Sequence, residues 1–141
     1  MDSALTPHTS PPLTRAVRPS RCAPPSRTLV CPTQDIQHIN AHGTATPIGD
    51  RTETEAIKDV FGEYARSVMI SATKFMHGHI MGATGAVEAV ATVMALRHQA
   101  VPPTANLLEP DPECDLDYVP IVARQGPDIH FAMSNSFAFW R

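Results

Sequence analysis

Two short loops rich in histidine carry the side chains best suited to chemistry. Residues 40–50 read Asn-Ala-His-Gly-Thr-Ala-Thr-Pro-Ile-Gly-Asp, so that His42 is followed by the hydroxyl groups of Thr44 and Thr46. Such a loop, at the end of a strand, places an imidazole and two small polar groups on the ligand side of a sheet. The alternative is an ordinary polar turn whose side chains bond to backbone groups of the loop.

The second loop, residues 74–79, reads Lys-Phe-Met-His-Gly-His and precedes a predicted helix. His79 then falls in or near the first helical turn, where the positive end of the helix dipole disfavours the imidazolium form. A neutral imidazole there can donate a hydrogen bond to negative charge that develops on a substrate. The competing interpretation makes His77 or His79 an ordinary cap or core residue.

Glu88 is the only acidic or basic residue, histidine aside, between Lys74 and Arg97. It lies within a helix that is predicted to be buried, and a buried carboxylate needs a cation or hydrogen-bond donors. We therefore predict an ion pair between Glu88 and Lys74, since the small residues around Glu88 leave little room for water. The alternative places Glu88 at a solvent-filled edge.

The elements that must position these loops alternate between strands and helices. Asp50 is the predicted N-cap of the first helix and Gly62 its stop, with Ala56, Ile57, Val60 and Phe61 on the buried face. The predicted elements are a strand at 36–41, a helix at 51–61, a strand at 67–71, a helix at about 79–98 with apolar residues all round, and a strand at 129–135. This order predicts an α/β fold with a mainly parallel or mixed sheet under helical cover.

The composition argues against several classes of protein. The 141 residues include 14 acids and 11 bases, for a net charge of -3, so no basic excess is available to bind nucleic acid. No uncharged apolar stretch reaches the roughly 18 residues that a membrane span needs. Three irregularly spaced cysteines, Cys22, Cys31 and Cys114, do not suggest a disulfide framework. A reducing compartment, the cytoplasm, is the expected location.

The first 34 residues differ from the rest of the chain. They hold seven of the 14 prolines and four arginines, with Asp2 as the single acid. Proline at this density removes backbone donors, and few large apolar residues are present to offset the entropy of ordering. We predict a disordered arm at residues 1–34 and one folded domain at residues 35–141.

Five motifs together resemble the β-ketoacyl-acyl-carrier-protein synthases, the elongating condensing enzymes of fatty-acid synthesis. The motifs are Asn-Ala-His-Gly-Thr at 40–44, Lys-Phe-Met-His-Gly-His at 74–79, Gly-Ala-Val-Glu at 85–88, Val-Pro-Pro-Thr-Ala-Asn-Leu at 101–107 and Asn-Ser-Phe-Ala-Phe at 135–139. The resemblance implies the C-terminal half of a thiolase-like layered fold, in which sheets sandwich buried helices. It also implies decarboxylative condensation of a malonyl thioester with an acyl thioester, acyl carrier protein as partner and a homodimeric parent enzyme. No metal or resident cofactor is implied, because phosphopantetheine arrives on the carrier protein.

The resemblance also assigns roles to single residues of the catalytic set. His42 and His79 match the two histidines that hold the thioester carbonyl of the malonyl substrate. Lys74 matches the active-site lysine, and Glu88 matches the acid that pairs with it. The enolate that forms when carbon dioxide leaves needs neutral hydrogen-bond donors, which agrees with the chemistry expected of the two loops.

Three further matches concern substrate binding and completeness. Thr44 and Thr46 match threonines that hydrogen-bond the phosphopantetheine arm, and Phe139 matches a phenylalanine that gates the acyl pocket. In the family the nucleophilic cysteine lies far upstream of the first histidine motif, at a turn from a strand to a helix. None of the three cysteines here has that setting. We therefore expect a synthase fragment truncated at both ends, which is incomplete and inactive in condensation.

Two other functions stay open from the sequence. The chain could be a non-catalytic fragment that binds the carrier or acts as a scaffold, which the missing nucleophile favours. It could also be a metal protein that uses His38, His42, His77 and His79, although no carboxylate or thiolate set follows them.

Overall fold

A computed structural model describes residues 31–137, whose fold is mixed α/β, as the sequence predicts. The strands are β1 (His38–Asn40), β2 (Met69–Ser71), β3 (Ala100–Val101), β4 (Arg124–Gln125) and β5 (Ala132–Ser134). The α-helices are α1 (Pro47–Phe61), α2 (Lys74–His77) and α3 (Thr84–His98). Most of the predicted arm, residues 1–30, lies outside the described residues, and a 3-10 turn at Thr33–Asp35 precedes β1.

Three parallel strands form the main sheet in the order β2-β1-β5. In the central strand, Ile39 lies opposite Ile70 on one side and Met133 on the other. Because all three strands run in the same direction, their carboxyl ends share one edge, and both histidine loops begin there. The antiparallel pair β3-β4 was not predicted, since strands of two residues are too short to show an alternating pattern.

Helix α1 begins four residues earlier than predicted. Thr46 occupies the N-cap position and Pro47 is the first helical residue, where its fixed φ favours the helix and its missing N–H costs nothing. Asp50 is therefore inside the first turn and is not the N-cap. The predicted stop is confirmed, because Gly62 ends the helix with a φ of +56°, which glycine adopts without strain.

The buried face of α1 is rotated from the predicted one. Glu53, Thr54, Ile57 and Phe61 are buried, whereas Val60 is 43% exposed. Ile57 and Phe61 pack with Val68 and the central-strand residues in the core beneath the helix. Each fully buried aliphatic side chain of this kind contributes about 1.5–3 kcal/mol. Ile57 and Phe61 are buried as predicted, whereas Val60 is not, and the polar residues Glu53 and Thr54 complete the buried stripe.

The segment before α3 forms a compact turn in place of the predicted first helical turn. Helix α2 ends at Gly78, which has a φ of +76°, and a 3-10 turn at Met81–Ala83 follows. Helix α3 begins only at Thr84. His79 therefore lies in the turn between two helices, near α3 and not within it, and the predicted start of the helix at about residue 79 is wrong.

Helix α3 buries one face only within residues 31–137. Thr84, Glu88, Thr92 and Ala95 are buried at helical spacing against β5 and β3. The opposite face is apolar but open to solvent, and Val90 is 63% exposed. The prediction of burial all round the helix is thus wrong for the described residues, because they supply a packing layer on a single side. None of the helices in this part of the chain is long and apolar enough to cross a membrane.

Candidate active site

The first histidine loop is held by a carboxylate on α1. Glu53 is buried, and its two oxygens accept hydrogen bonds from the backbone amides of His42 and Gly43, each over 2.9 Å. Asn135, in the segment after β5, donates its side-chain amide to the same carboxylate over 3.1 Å. Burial raises the pKa of Glu53, while these donors act in the opposite direction. One side chain thus joins the ends of β1 and β5 to α1.

Gly43 lets this loop pass close to the neighbouring strand end. Its φ is +34°, and a Cβ at this position would lie 2.6 Å from the Cβ of Ala72. Carbon atoms that are not bonded to each other do not approach so closely. Any side chain at residue 43 would therefore push the loop away from the end of β2. The glycine therefore fixes where the His42 ring emerges.

The His42 ring presents one nitrogen as a donor. The backbone amide of Phe137 donates to Nδ1 over 3.3 Å, so in the neutral ring the proton is carried by Nε2. Burial lowers the pKa of His42, and the nearby charges of Lys74 and His79 lower it further. The phenyl ring of Phe137 packs against the imidazole, with ring centroids 4.9 Å apart. His42 is therefore a neutral Nε2–H donor.

His79 is oriented in the same way by its own turn. The backbone amide of Met81 donates to its Nδ1 over 3.2 Å, and the hydroxyl of Thr84 lies 3.0 Å from the same nitrogen. The proton of the neutral ring is then on Nε2. The rings of His42 and His79 stand edge to face, with centroids 5.6 Å apart. The structure brings the two predicted histidines together, each with Nδ1 engaged and Nε2–H free among the described groups.

Lys74 and Glu88 form the ion pair expected from the sequence, and both side chains are buried. Oε2 of Glu88 also accepts a hydrogen bond from the hydroxyl of Ser136 over 3.0 Å. The carboxylate thus has both a cation and a donor, as burial of a charge requires. The pair is close enough to His42 for each charge to act on the pKa of that ring.

A polar network connects the central strand to α3 beside this ion pair. Asn40 accepts a hydrogen bond from the Thr73 hydroxyl over 3.1 Å and donates to the backbone carbonyl of Glu88 over 3.3 Å. Thr92 donates to the same carbonyl over 2.8 Å. His77 belongs to this network, since its Nε2 lies 3.3 Å from Thr73 Oγ1. These contacts hold the ends of β1 and β2 in position on α3.

The two loop threonines lie near each other on the exposed side of the first loop. The hydroxyls of Thr44 and Thr46 are 3.2 Å apart, and the backbone amide of Thr44 donates to Asp50 over 3.2 Å. Both hydroxyls are accessible to a ligand. Their role in binding phosphopantetheine stays a prediction. Phe139, the predicted gate, lies outside the described residues.

The four-histidine metal hypothesis is wrong for residues 31–137. No group of three His, Cys, Asp or Glu side chains in this range could hold a metal ion. His38 is fully buried and its Nδ1 donates to the carbonyl of Met69 over 3.1 Å, away from the loops. His77 bonds to the turn backbone and to Thr73.

The two cysteines of the described range have pKa values that do not favour a thiolate. Burial raises the pKa of Cys31, and Asp35 adds to that effect. Burial also raises the pKa of Cys114. A nucleophilic cysteine needs the opposite setting, a nearby cation or a helix N-terminus. Neither thiol is activated for covalent catalysis.

Three residues that position the site were not predicted from the sequence: Glu53, Asn135 and Ser136. One signal was available for Glu53, which precedes Ile57 by four residues and Phe61 by eight and so lies on their apolar stripe. A lone carboxylate on such a stripe indicates a buried acceptor for backbone amides. Asn135 and Ser136 gave no local signal, because their partners are 82 and 48 residues away.

Comparison with known proteins agrees with this geometry. Nodulation protein E of Rhizobium sp. (strain N33) is 57% identical over 105 residues, which cover 74% of this chain and 26% of that protein. The 3-oxoacyl-[acyl-carrier-protein] synthase 2 of Synechocystis sp. is 55% identical over 104 residues, 74% of this chain and 25% of the relative. The chain thus spans about a quarter of the length of these relatives.

Solved structures show the same fold. The ishigamide ketosynthase/chain length factor superposes with a TM-score of 0.71 and 43% identity, over 76% of this chain and 26% of that chain. A type II polyketide ketosynthase in complex with its acyl carrier protein gives a TM-score of 0.64 and 41% identity, over 66% of this chain and 23% of that one. These matches confirm the thiolase-like fold class expected from the motifs.

The family match covers the site itself. Residues 26–108, which include both histidine loops and the Lys74–Glu88 pair, match the family described as Beta-ketoacyl synthase, C-terminal domain. The match begins upstream of the predicted boundary at residue 35. Because this family match covers more than half of the chain and includes the two neighbouring histidines and the buried lysine–glutamate pair, the chain belongs to the family of β-ketoacyl synthase C-terminal domains.

Proposed function

We propose that this chain provides the decarboxylation half of a β-ketoacyl-acyl-carrier-protein synthase site, which acts on a malonyl thioester in fatty-acid biosynthesis. The observation that carries the proposal is that the rings of His42 and His79 lie with centroids 5.6 Å apart and share one tautomer. Both rings have Nδ1 engaged by a backbone amide, so both offer Nε2–H. Two such donors can converge on a single thioester carbonyl oxygen.

The reaction follows from the charge that this oxygen acquires. When the bond between the carboxylate carbon and C2 of the malonyl group breaks, carbon dioxide leaves and the electron pair moves into the enolate. The enolate oxygen then accepts the two Nε2–H hydrogen bonds, which are stronger to an anion than to the ground-state carbonyl. The lowered pKa of His42 keeps that ring neutral, so this donor needs no proton loss or gain before the step.

Lys74 and Glu88 act on this site as a positioning pair. Their ion pair joins α2 to α3, and each helix borders the turn that carries His79. The carbanion would attack an acyl group held as a thioester on a cysteine. Cys31 and Cys114 do not suit that role, so condensation by the described residues alone is not expected.

The carrier protein is the proposed partner. The names of the relatives support it, since one acts on acyl carrier protein and a solved neighbour is bound to one. Thr44 and Thr46 are the proposed ligands of the phosphopantetheine arm, because their exposed hydroxyls lie beside His42 at the edge of the sheet. A homodimeric parent enzyme, a gating role for Phe139 and a cytoplasmic location stay predictions.

Decarboxylation of malonyl-acyl carrier protein by the full chain tests the proposal. We expect the acetyl-carrier product, formed when C2 of the enolate takes a proton from solvent water, to appear with the wild-type chain in mass spectrometry. Its amount should fall by about 10²-fold or more in His42→Ala and His79→Ala. His98→Ala is the matched control, since His98 is exposed at the far end of α3. Decarboxylation that persists in both site variants would contradict the proposal.

A second candidate function is carrier binding without catalysis. The raised pKa values of Cys31 and Cys114 favour it, because no activated thiol within residues 31–137 accompanies the two histidines. In that case the chain would bind malonyl-carrier protein without releasing carbon dioxide. Binding that is weakened in Thr44→Val and Thr46→Val, together with no acetyl product, would support this function over the first.

A further inference from the structure

A recess lies beside the first histidine loop, and the proposed chemistry does not use it. The cavity has a volume of about 330 Å³ and lies between that loop, the start of α1 and the segment 104–118. The residues that line it do not include the four proposed catalytic residues, which are His42, His79, Lys74 and Glu88. A cavity of this size falls within the usual range for sites that hold a small ligand.

Most of the cavity wall is apolar. Phe75 and Leu107 supply the large side chains, Pro110 forms part of the rim, and Ala41 and Ala72 leave open space at the ends of β1 and β2. The volume of about 330 Å³ leaves room for a chain of several carbon atoms. An apolar ligand body would therefore exchange water contacts for these side chains.

The charges at the cavity are of one sign. Four acids line it, Asp50, Glu53, Glu109 and Asp111, and no Lys, Arg or His is among the lining residues. The carboxylates of Asp50 and Glu53 already accept hydrogen bonds from the loop amides. Asp111 pairs with Arg51 outside the cavity. Among residues 31–137, Glu109 has no ion pair, so its charge is available to a ligand.

We propose that this cavity binds a small organic amine, with its apolar body against Phe75 and Leu107 and its ammonium group beside Glu109 and Asp50. The acidic lining attracts a cation and repels an anion, because opposite charges stabilise each other at short range and like charges destabilise each other. This site is distinct from the proposed malonyl site and does not depend on it. Its ligand class, an alkylamine or arylamine, differs from the acidic thioester substrate.

A ligand in this cavity would contact the back of the loop that presents His42. Gly43 and Ala45 of that loop line the cavity, and Glu53 both lines it and accepts the His42 amide. A bound amine therefore changes the environment of these backbone amides directly. This relation gives a local readout that requires no catalytic activity.

Titration of the full chain with hexylamine, followed by amide NMR, tests the proposal. We expect saturable shifts at the amides of residues 43 and 45, and no saturable shifts with hexanoate, which has the same alkyl chain and the opposite charge. Leu107→Trp should weaken hexylamine binding by about tenfold or more, because the larger ring fills the recess. Leu108→Trp is the matched control, since Leu108 is 80% exposed and does not line the cavity.

A second variant tests the charge without altering the cavity volume. Glu109→Gln should weaken hexylamine binding by about threefold, while Glu55→Gln, at an exposed position on α1, should leave it unchanged. Any of three results overturns the proposal: no saturable shift with hexylamine, equal binding of hexanoate, or equal binding by wild type and Glu109→Gln. Decarboxylation of the malonyl substrate can persist or fail in any of these cases, so the two proposals are tested separately.

Discussion

The backbone amide of His42 donates to Oε1 of Glu53 over 2.9 Å, so a buried carboxylate on α1 holds the loop that presents the first histidine. The same side chain also accepts from Gly43 and Asn135. Three segments that are distant in the sequence are thus joined at a single group. The position of the His42 ring relative to His79 therefore depends on these Glu53 contacts as well as on the two loops themselves.

Replacement of Glu53 by glutamine should therefore destabilise the chain although the side-chain volume is unchanged. The new NH2 group would face a backbone N–H, which leaves one buried donor without an acceptor at a cost of about 1–3 kcal/mol. The free energy of unfolding in urea measures this cost. Glu55→Gln, on the exposed side of the same helix, should change it by less than about 0.5 kcal/mol. Equal effects of the two variants would mean that the Glu53 contacts do not stabilise the loop.

The Lys74–Glu88 pair predicts non-additive substitutions. Either Lys74→Met or Glu88→Gln leaves the other polar group buried without its partner, and we expect each to cost about 3–5 kcal/mol. The double variant should recover part of that loss, because no unpaired charge remains. A double-mutant cycle on the free energy of unfolding measures the coupling. Additivity within about 0.5 kcal/mol would show that the two residues are independent.

The buried His38 predicts a loss of stability in mild acid. Burial lowers its pKa from the ordinary value of 6.5, so below that value the unfolded chain binds a proton that the folded chain does not. The free energy of unfolding should therefore fall between about pH 7.5 and pH 5.5 and continue to fall until the pH reaches the lowered pKa. His42 contributes in the same direction. The raised pKa values of Glu53 and Asp50 act in the opposite sense, because there the folded chain binds the proton more readily.

The variant His38→Phe separates these contributions. It keeps a buried ring and removes the titrating group, so its stability should fall less over the same pH range than that of the wild type. His98→Phe should keep the wild-type pH dependence, because His98 is exposed. Urea unfolding at the two pH values gives both comparisons. An identical pH dependence in wild type and His38→Phe would exclude His38 as a source of acid sensitivity.

The site was predictable from the sequence where its parts are local. His42 follows the end of β1, the segment with Lys74 and His79 follows β2, and Lys74 and Glu88 are only 14 residues apart. Asn135 and the exposure of α3 were not predictable in this way. The partner of Asn135 is 82 residues away, and the burial of a helix depends on how many layers pack against it.

The close approach of Gly43 to Ala72 gives the last prediction. Gly43→Ala would place a Cβ 2.6 Å from the Cβ of Ala72, at a φ of +34° that side chains disfavour. Two effects add, a steric clash and backbone strain of about 1–3 kcal/mol. Ala72→Gly removes the clash but not the strain, so the double variant should regain part of the lost free energy of unfolding and not all of it. Gly82→Ala is the control, because nothing lies within 4 Å of a Cβ there and its φ is not in the positive region. No recovery in the double variant would mean that the strained φ, and not the contact with Ala72, requires glycine beside His42.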